Sequence, residues 1–200
     1  MLQNHQSAAL DLAKTQGVIR PKDLELAGIP RVTLTRLVRE GRLTRIGRGL
    51  YMLPERSVSE HEGLIQVASR ASKGVFCLLT ALRFHDLTTQ SPFEIWLAIP
   101  NKFQPPKLDY PPVRIVRFSG KALTEGVETH TVDGVEIRVY GLAKTVADCF
   151  KFRNKIGLDV ALEALREAWH EKRVSMDELW HYAGICRVAN VMRPYLESLT

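Results

Sequence analysis

The chain has 200 residues, of which 45% are hydrophobic and 25% are charged, a composition typical of globular proteins with one or two domains. It has no apolar run near the ~20 residues of a membrane-spanning helix and no secretory signal at its start, so no membrane association is expected. Three cysteines, Cys77, Cys149 and Cys186, lack CxxC spacing and predict buried, reduced thiols in a cytoplasmic protein.

The net charge of +6 is concentrated at one end of the chain. Residues 1–56 contain ten Lys or Arg against five Asp or Glu, whereas residues 57–200 contain eighteen against seventeen. A local excess of this kind is expected of a surface that faces phosphates, although a solvated basic face would carry the same charge. The pattern of helices and strands predicted for residues 1–56 separates the two interpretations.

Three short helices are predicted in the first 40 residues. The first covers residues 7–16, and Gly17 ends it. The second begins at Pro21, which is preorganised for a first helical turn, and ends at Gly28. The third covers residues 31–40 and follows the second after a compact turn. Two short helices joined by so tight a turn are typical of the helix-turn-helix motif.

The third predicted helix has one apolar face and one basic face. At about 100° per residue, Leu34, Leu37 and Val38 fall on the same side and should pack inward. The other side combines arginines with small methyl-bearing residues: Arg31, Val32, Thr35, Arg36 and Arg39. Guanidinium groups can pair with guanine and methyl groups can touch thymine, so this side predicts a DNA-reading surface.

A basic β-hairpin is predicted directly after this helix. Strands at residues 43–46 and 50–53 flank the turn Gly47-Arg48-Gly49. In this position a hairpin forms the wing of a winged helix-turn-helix, and its arginine could reach phosphates or the minor groove. The same fold used only for protein contacts is the alternative. The candidate DNA-binding residues are Arg31, Val32, Thr35, Arg36, Arg39, Arg42, Arg45 and Arg48.

A second domain is predicted for residues 57–200, after a winged helix-turn-helix domain in residues 1–56. Helices are predicted at 59–71, in the ambiguous apolar stretch 75–84, and at 142–152, 158–171, 175–182 and 188–199. Strands are predicted at 93–99, 113–118, 127–132 and 135–140, the last two around the type I′ turn signal Asp133-Gly134. The expected fold class is α+β, with a small sheet and a helical C-terminal half in this second domain.

Catalytic chemistry is only weakly indicated. The histidines show no metal-binding spacing, and no glycine motif for phosphate is present. Asp133, Glu136 and Arg138 faintly resemble the acidic and basic residues of a Mg²⁺-dependent nuclease, but the turn already accounts for Asp133. We therefore expect no catalytic residue, metal or cofactor, and the nuclease remains the alternative from another functional class.

Charged residues alternate along the predicted helices between Asp148 and Glu167. They predict either solvated helix faces with i,i+4 ion pairs or a surface that docks a partner protein. Trp169, Trp180 and Tyr182 could anchor such a partner, although large aromatic side chains are more often part of a core.

Several motifs resemble AbiEi-type antitoxins of bacterial type IV toxin–antitoxin, or abortive-infection, systems. The resemblance is carried by residues 18–24, 28–31, 37–41 and 48–51, and in the second half by residues 140–165. It implies an autorepressor that binds inverted repeats in double-stranded DNA upstream of its own operon. It also implies a C-terminal domain that counters a cognate nucleotidyltransferase-like toxin.

The resulting hypothesis is a two-domain bacterial regulator without catalytic activity. Residues 1–56 are assigned to DNA, and residues 57–200 are assigned to partner contacts or to a homodimer on DNA. A stand-alone transcription factor that senses a ligand through its C-terminal domain is the alternative with the same fold.

Overall fold

The computed structural model describes residues 2–54, 61–88, 92–108 and 110–199. The chain forms two compact units: Met1–Arg70 with Thr131–Ile137 (the N-terminal unit), and Ala71–His130 with Arg138–Thr200 (the C-terminal unit). Helices and two sheets are present, which confirms the α+β class. The predicted domain boundary after residue 56 and the predicted helix start at residue 59 lie outside the described residues.

Among its described residues, the N-terminal unit combines four helices with a three-stranded antiparallel sheet of order β1-β3-β2. Strand β1 follows α1 directly and pairs with β3, with Val18 opposite Met52. The elements are α1 (Leu2–Gln16), β1 (Val18–Ile19), α2 (Pro21–Leu26), α3 (Val32–Arg39), β2 (Thr44–Gly47), β3 (Leu50–Met52) and α4 (Glu62–Ala68).

Two clusters of buried side chains hold this unit together. The first joins the three helices that precede the hairpin, through Ala9, Ala13, Leu24, Ile29, Leu34, Leu37 and Leu43. The second joins the sheet to α4, through Val18, Leu50, Met52 and Ile65. Burial of apolar area stabilises such contacts by roughly 25 cal/mol per Å². Each helix is too short to be stable alone, so these contacts hold the helices in place.

The segment Thr131–Ile137 belongs to the N-terminal unit although it lies far along the chain. Val135 is buried in the second cluster, and the Val18 N–H donates to the Asp133 carbonyl at 3.0 Å. Asp133 and Gly134 have φ values of 50° and 78°, as the predicted type I′ turn requires. A side chain at Gly134 would collide with the Gln16 carbonyl, so only glycine fits this turn against the end of α1.

The C-terminal unit contains a five-stranded mixed sheet of order β6-β5-β4-β8-β7. Its strands are β4 (Val75–Phe76), β5 (Ile95–Pro100), β6 (Val113–Phe118), β7 (Val127–Val132) and β8 (Val135–Tyr140), the β7–β8 turn being the segment just described. Its helices are α5 (Leu78–Phe84), α6 (Lys121–Thr124), α7 (Leu142–Lys151), α8 (Arg153–Ile156), α9 (Leu158–His170), α10 (Met176–Ile185) and α11 (Ala189–Glu197).

The ambiguous apolar stretch 75–84, in which the leucines favour a helix, contains a strand followed by a helix. Val75 and Phe76 form strand β4, which pairs with Ala98 and Leu97 of β5 before α5 begins at Leu78. A short apolar run has no periodicity that separates a buried strand from a buried helix. Pairing with a distant strand decides the conformation here.

Helix α7 is buried from Ala143 to Phe150 and carries an ion pair inside the C-terminal core. Lys144 and Asp148 are at most 2% exposed, and the Lys144 Nζ donates to the Asp148 Oδ2 at 2.6 Å. The Lys144 ammonium also lies 4.1 Å from the Tyr140 ring centroid. Burial raises the pKa of Asp148 although Lys144 opposes that rise. The prediction that Asp148 lies on a solvated face or a docking surface is therefore wrong.

Removing one partner of the Lys144–Asp148 pair should destabilise the fold. Asp148→Ala is expected to lower the free energy of unfolding by about 3 to 5 kcal/mol, because the Lys144 charge would remain buried without compensation. Denaturant titration of the full chain measures this. Lys121→Ala removes the exposed partner of Glu125 at the same i,i+4 spacing, and should cost less than about 1 kcal/mol. Equal costs for the two variants would contradict this account.

Candidate nucleic-acid interface

Helix α3 presents the two faces that its sequence predicts. Leu34 and Leu37 are buried, at 2% and 0% exposure, and Val38 is half-buried. On the other side Val32 is 59% exposed, which is unusual for a large apolar side chain. The neighbouring residues Thr35 and Arg39 are exposed, and Arg36 is half-buried. The predicted assignment of inward and outward residues is confirmed.

Local sequence fixes where the helices on either side of the turn begin and end. Pro21 occupies the first position of α2, and the Asp23 carboxylate accepts a hydrogen bond from the Arg20 N–H at 2.8 Å. The turn between α2 and α3 is closed by the Ile29 N–H, which donates to the Leu24 carbonyl at 2.8 Å. Ile29 itself is buried, so it ties the turn to the core.

The arginines of this unit fall into two groups according to their partners. Arg31 donates to Glu25 and lowers the pKa of that carboxyl, and Arg42 lies 3.9 Å from Glu40. Within the part of the chain that the structure describes, no carboxylate pairs with the second group, Arg36, Arg39 and Arg48. Their guanidinium groups can take a new anionic partner without breaking an ion pair.

Arg48 lies at the turn of the β2–β3 hairpin and is exposed. Gly49, which follows it, has a φ of 76°, a conformation that glycine adopts without strain. The Arg45 side chain contacts its own strand, β2, where its Nε donates to the Gly47 carbonyl at 3.1 Å. The pairing of β2 with β3 is irregular between Arg45 and Gly47, so the strand changes direction just before the turn.

Helix α4 and the residues that follow it brace this hairpin. The Gln66 side-chain amide donates to the Ile46 carbonyl at 2.8 Å, and an Arg70 guanidinium nitrogen donates to the Arg48 carbonyl at 3.0 Å. Arg70 thereby brings a further exposed cation to the turn. Arg70 could not be predicted from the sequence, because it lies 22 positions from Arg48 and outside any motif.

The residues considered for metal chemistry do not form a metal-binding group. Among the described residues, no cluster of three or more His, Cys, Asp or Glu is arranged to hold an ion. Asp133 serves the type I′ turn, and Glu136 is exposed on β8. All three cysteines are buried as free thiols, as predicted. None of the described helices combines the length and apolar character needed to span a bilayer.

Comparison with known proteins bears on the segment that contains α3 and the β2–β3 hairpin. Residues 7–54 match the sequence model of a family described as "Transcriptional regulator, AbiEi antitoxin". No curated protein matched the chain. The resemblance drawn for residues 140–165 lies outside the matched range and stays a prediction. Over residues 7–54, which contain all eight candidate DNA-binding residues, the chain is similar to the AbiEi antitoxin family of transcriptional regulators.

Proposed function

We propose that this chain is a transcriptional regulator that binds double-stranded DNA through α3 and the β2–β3 hairpin. The observation that carries this proposal is the placement of Arg36, Arg39 and Arg48 on a packed helix and a braced turn, where none of the described carboxylates pairs with them. The matched regulator family supports it independently, because the match spans the same elements.

Helix α3 is the element proposed to read bases. A helix of this size fits the major groove of B-DNA, where arginine can form paired bonds to guanine. Arg36 and Arg39 are assigned to such contacts. The exposed Val32 and Thr35 carry methyl groups that can pack against thymine. Solvent exposure of Val32 is thus explained by a partner rather than by the fold.

The remaining arginines are proposed to position the protein on the DNA backbone. Contacts to phosphates fix register and orientation but carry no sequence information. Arg42 lies between α3 and β2, Arg45 lies in β2, and Arg48 lies at the turn of the hairpin, which is proposed to be a wing. Arg31 already donates to Glu25, so DNA would have to compete for it, and its contribution should be the smallest of the set.

The finer role follows from the similarity to antitoxins and extends the proposal. We assign autorepression at inverted repeats upstream of the operon to the N-terminal unit. Neutralisation of a nucleotidyltransferase-like toxin in the cytoplasm is assigned to residues 57–200. No catalytic step is assigned to the chain itself.

Loss of a base-reading arginine should reduce specificity. Arg36→Ala and Arg39→Ala are each expected to lower operator affinity about tenfold to a hundredfold, since a paired arginine–guanine contact is worth roughly 1 to 3 kcal/mol. Affinity for random DNA should fall less, because it depends mainly on phosphates. Fluorescence anisotropy with both duplexes measures this. Arg166→Ala removes an exposed charge from α9 and should leave both affinities unchanged. Wild-type operator binding by both α3 variants would show that α3 does not read DNA.

The hairpin variant should behave differently from the helix variants. Arg48→Ala is expected to weaken operator and random DNA by similar factors if Arg48 contacts phosphate. The magnitude of the slope of log affinity against log salt should fall by about one, because one fewer counterion is released. Titrations of both duplexes at several salt concentrations measure this. A loss confined to sites with a narrow A·T-rich minor groove would instead indicate shape readout. No change on either duplex would mean that the hairpin does not contact DNA.

The antitoxin role can be tested separately from DNA binding. Co-expression of the chain from an independent promoter should restore growth to cells that express the nucleotidyltransferase-like gene adjacent to its own. The Arg39→Ala variant should restore growth equally, because neutralisation is assigned to residues 57–200. Failure of the wild-type chain to restore growth, or absence of such a neighbouring gene, would refute the antitoxin role while leaving the DNA-binding proposal intact.

A further inference from the structure

A cavity of about 550 Å³ lies within the C-terminal unit, bordered by the end of β6, α6, the end of α7 and the end of α10. This volume is in the range of small-molecule sites, which is roughly 300 to 1,000 Å³. Three of its lining residues, Phe118, Asp148 and Cys186, are at most 6% exposed. The cavity therefore reaches from the surface into the core of the unit.

The lining is strongly basic. Arg117, Lys121, Lys151 and Arg187 come from three separate segments of the chain and all border the cavity. Asp148 is the acidic residue among the lining residues, and its carboxylate already has hydrogen-bond partners. Its two oxygens accept hydrogen bonds from the Lys144 Nζ at 2.6 Å and from the Cys186 Sγ at 3.1 Å. The four surrounding cations are therefore not neutralised from within the cavity.

Two of these cations, Lys151 and Arg187, are available to a ligand. The other two already have partners: Lys121 lies 3.4 Å from Glu125, and Arg117 donates to backbone carbonyls, including that of Asn101 at 2.6 Å. In contrast, Lys151 and Arg187 have no carboxylate partner among the residues that the structure describes. Both side chains are exposed at the cavity and can donate to an anion.

Apolar side chains complete the lining. Phe152 and Ile185 are half-buried, and the Phe152 ring stacks on the Phe118 ring with 5.5 Å between centroids. A half-buried aromatic ring beside cations suits a ligand that joins a flat apolar group to a negative charge. A simple inorganic ion has no apolar group that could pack against this part of the lining.

We propose that this cavity binds a small organic phosphate. Its phosphate accepts hydrogen bonds from Lys151 and Arg187, and its ring packs against Phe152 and Ile185. The backbone of a DNA duplex is a less suitable occupant, because it cannot enter a cavity whose floor is buried. This site is separate from the residues assigned to DNA, so the inference does not depend on the proposed regulatory function.

Isothermal titration calorimetry of the full chain with AMP, GMP, CMP and UMP tests the proposal. At least one nucleotide should bind about tenfold more tightly than inorganic phosphate and than its own nucleoside. Only the nucleotide has both a phosphate for the cations and a ring for the apolar side chains of the lining. Lys151→Gln and Arg187→Asn should each weaken that binding by about tenfold or more. Asparagine is chosen because Arg187 has a φ of 58°. Arg166→Gln, which removes an exposed charge outside the lining, should bind normally.

A cavity-filling variant gives a test that does not alter charge. Gly184 lines the cavity within α10, and a side chain placed there would meet no atom within 4 Å of its Cβ. Gly184→Leu should therefore fold normally, as checked by thermal melting, and helix propensity favours leucine over glycine. It should nevertheless weaken nucleotide binding by about tenfold, because the larger side chain occupies part of the cavity.

Three results would overturn the proposal. The first is the absence of binding by all four nucleotides at about 5 mM, where even a weak site of ~1 mM affinity would be mostly filled. The second is nucleotide binding that all three cavity variants retain, which would place the ligand elsewhere. The third is loss of DNA affinity in the Lys151 and Arg187 variants without nucleotide binding by the wild type, which would make these cations a DNA contact.

Discussion

Burial of Leu34 and Leu37 is the constraint on which the proposed DNA-binding surface depends. Helix α3 has only eight residues, and an isolated helix of that length is not stable in water. Packing of the two leucines with Ala13, Leu24 and Ile29 fixes both the position of α3 and its rotation about its own axis. The arginines on the outer side therefore have a defined direction. A helix that contacts base edges requires such rigidity, because paired hydrogen bonds to guanine are strongly directional.

The hairpin after α3 acquires its position in a different way. Two side chains from distant sequence, Gln66 and Arg70, donate to carbonyls of Ile46 and Arg48. The sheet that contains the hairpin also packs on Val135, from a segment more than 80 residues further along the chain. The N-terminal unit is thus completed by residues beyond the matched family range of 7–54.

Local signals predicted much of the fold and of the candidate site. The two faces of α3, strand β6 and both strands of the Asp133-Gly134 hairpin follow from periodicity and turn chemistry, which act between near neighbours. Strand β4 was not separated from the helix that follows it, because its conformation depends on pairing with β5. Burial of Asp148 and the contact of Arg70 with the hairpin were missed for the same reason. The i,i+4 spacing of Lys144 and Asp148 does not distinguish a buried pair from an exposed one, and Arg70 lies 22 positions from the residue that it contacts.

The proposed function requires that this chain recognise a specific DNA site through α3 and the hairpin. A DNase I footprint of the full chain on the DNA immediately upstream of its own coding sequence tests this requirement. Protection of a discrete inverted repeat is expected, at protein concentrations that leave the flanking DNA accessible. Folded protein that protects no site, or that covers the whole fragment uniformly, would contradict it.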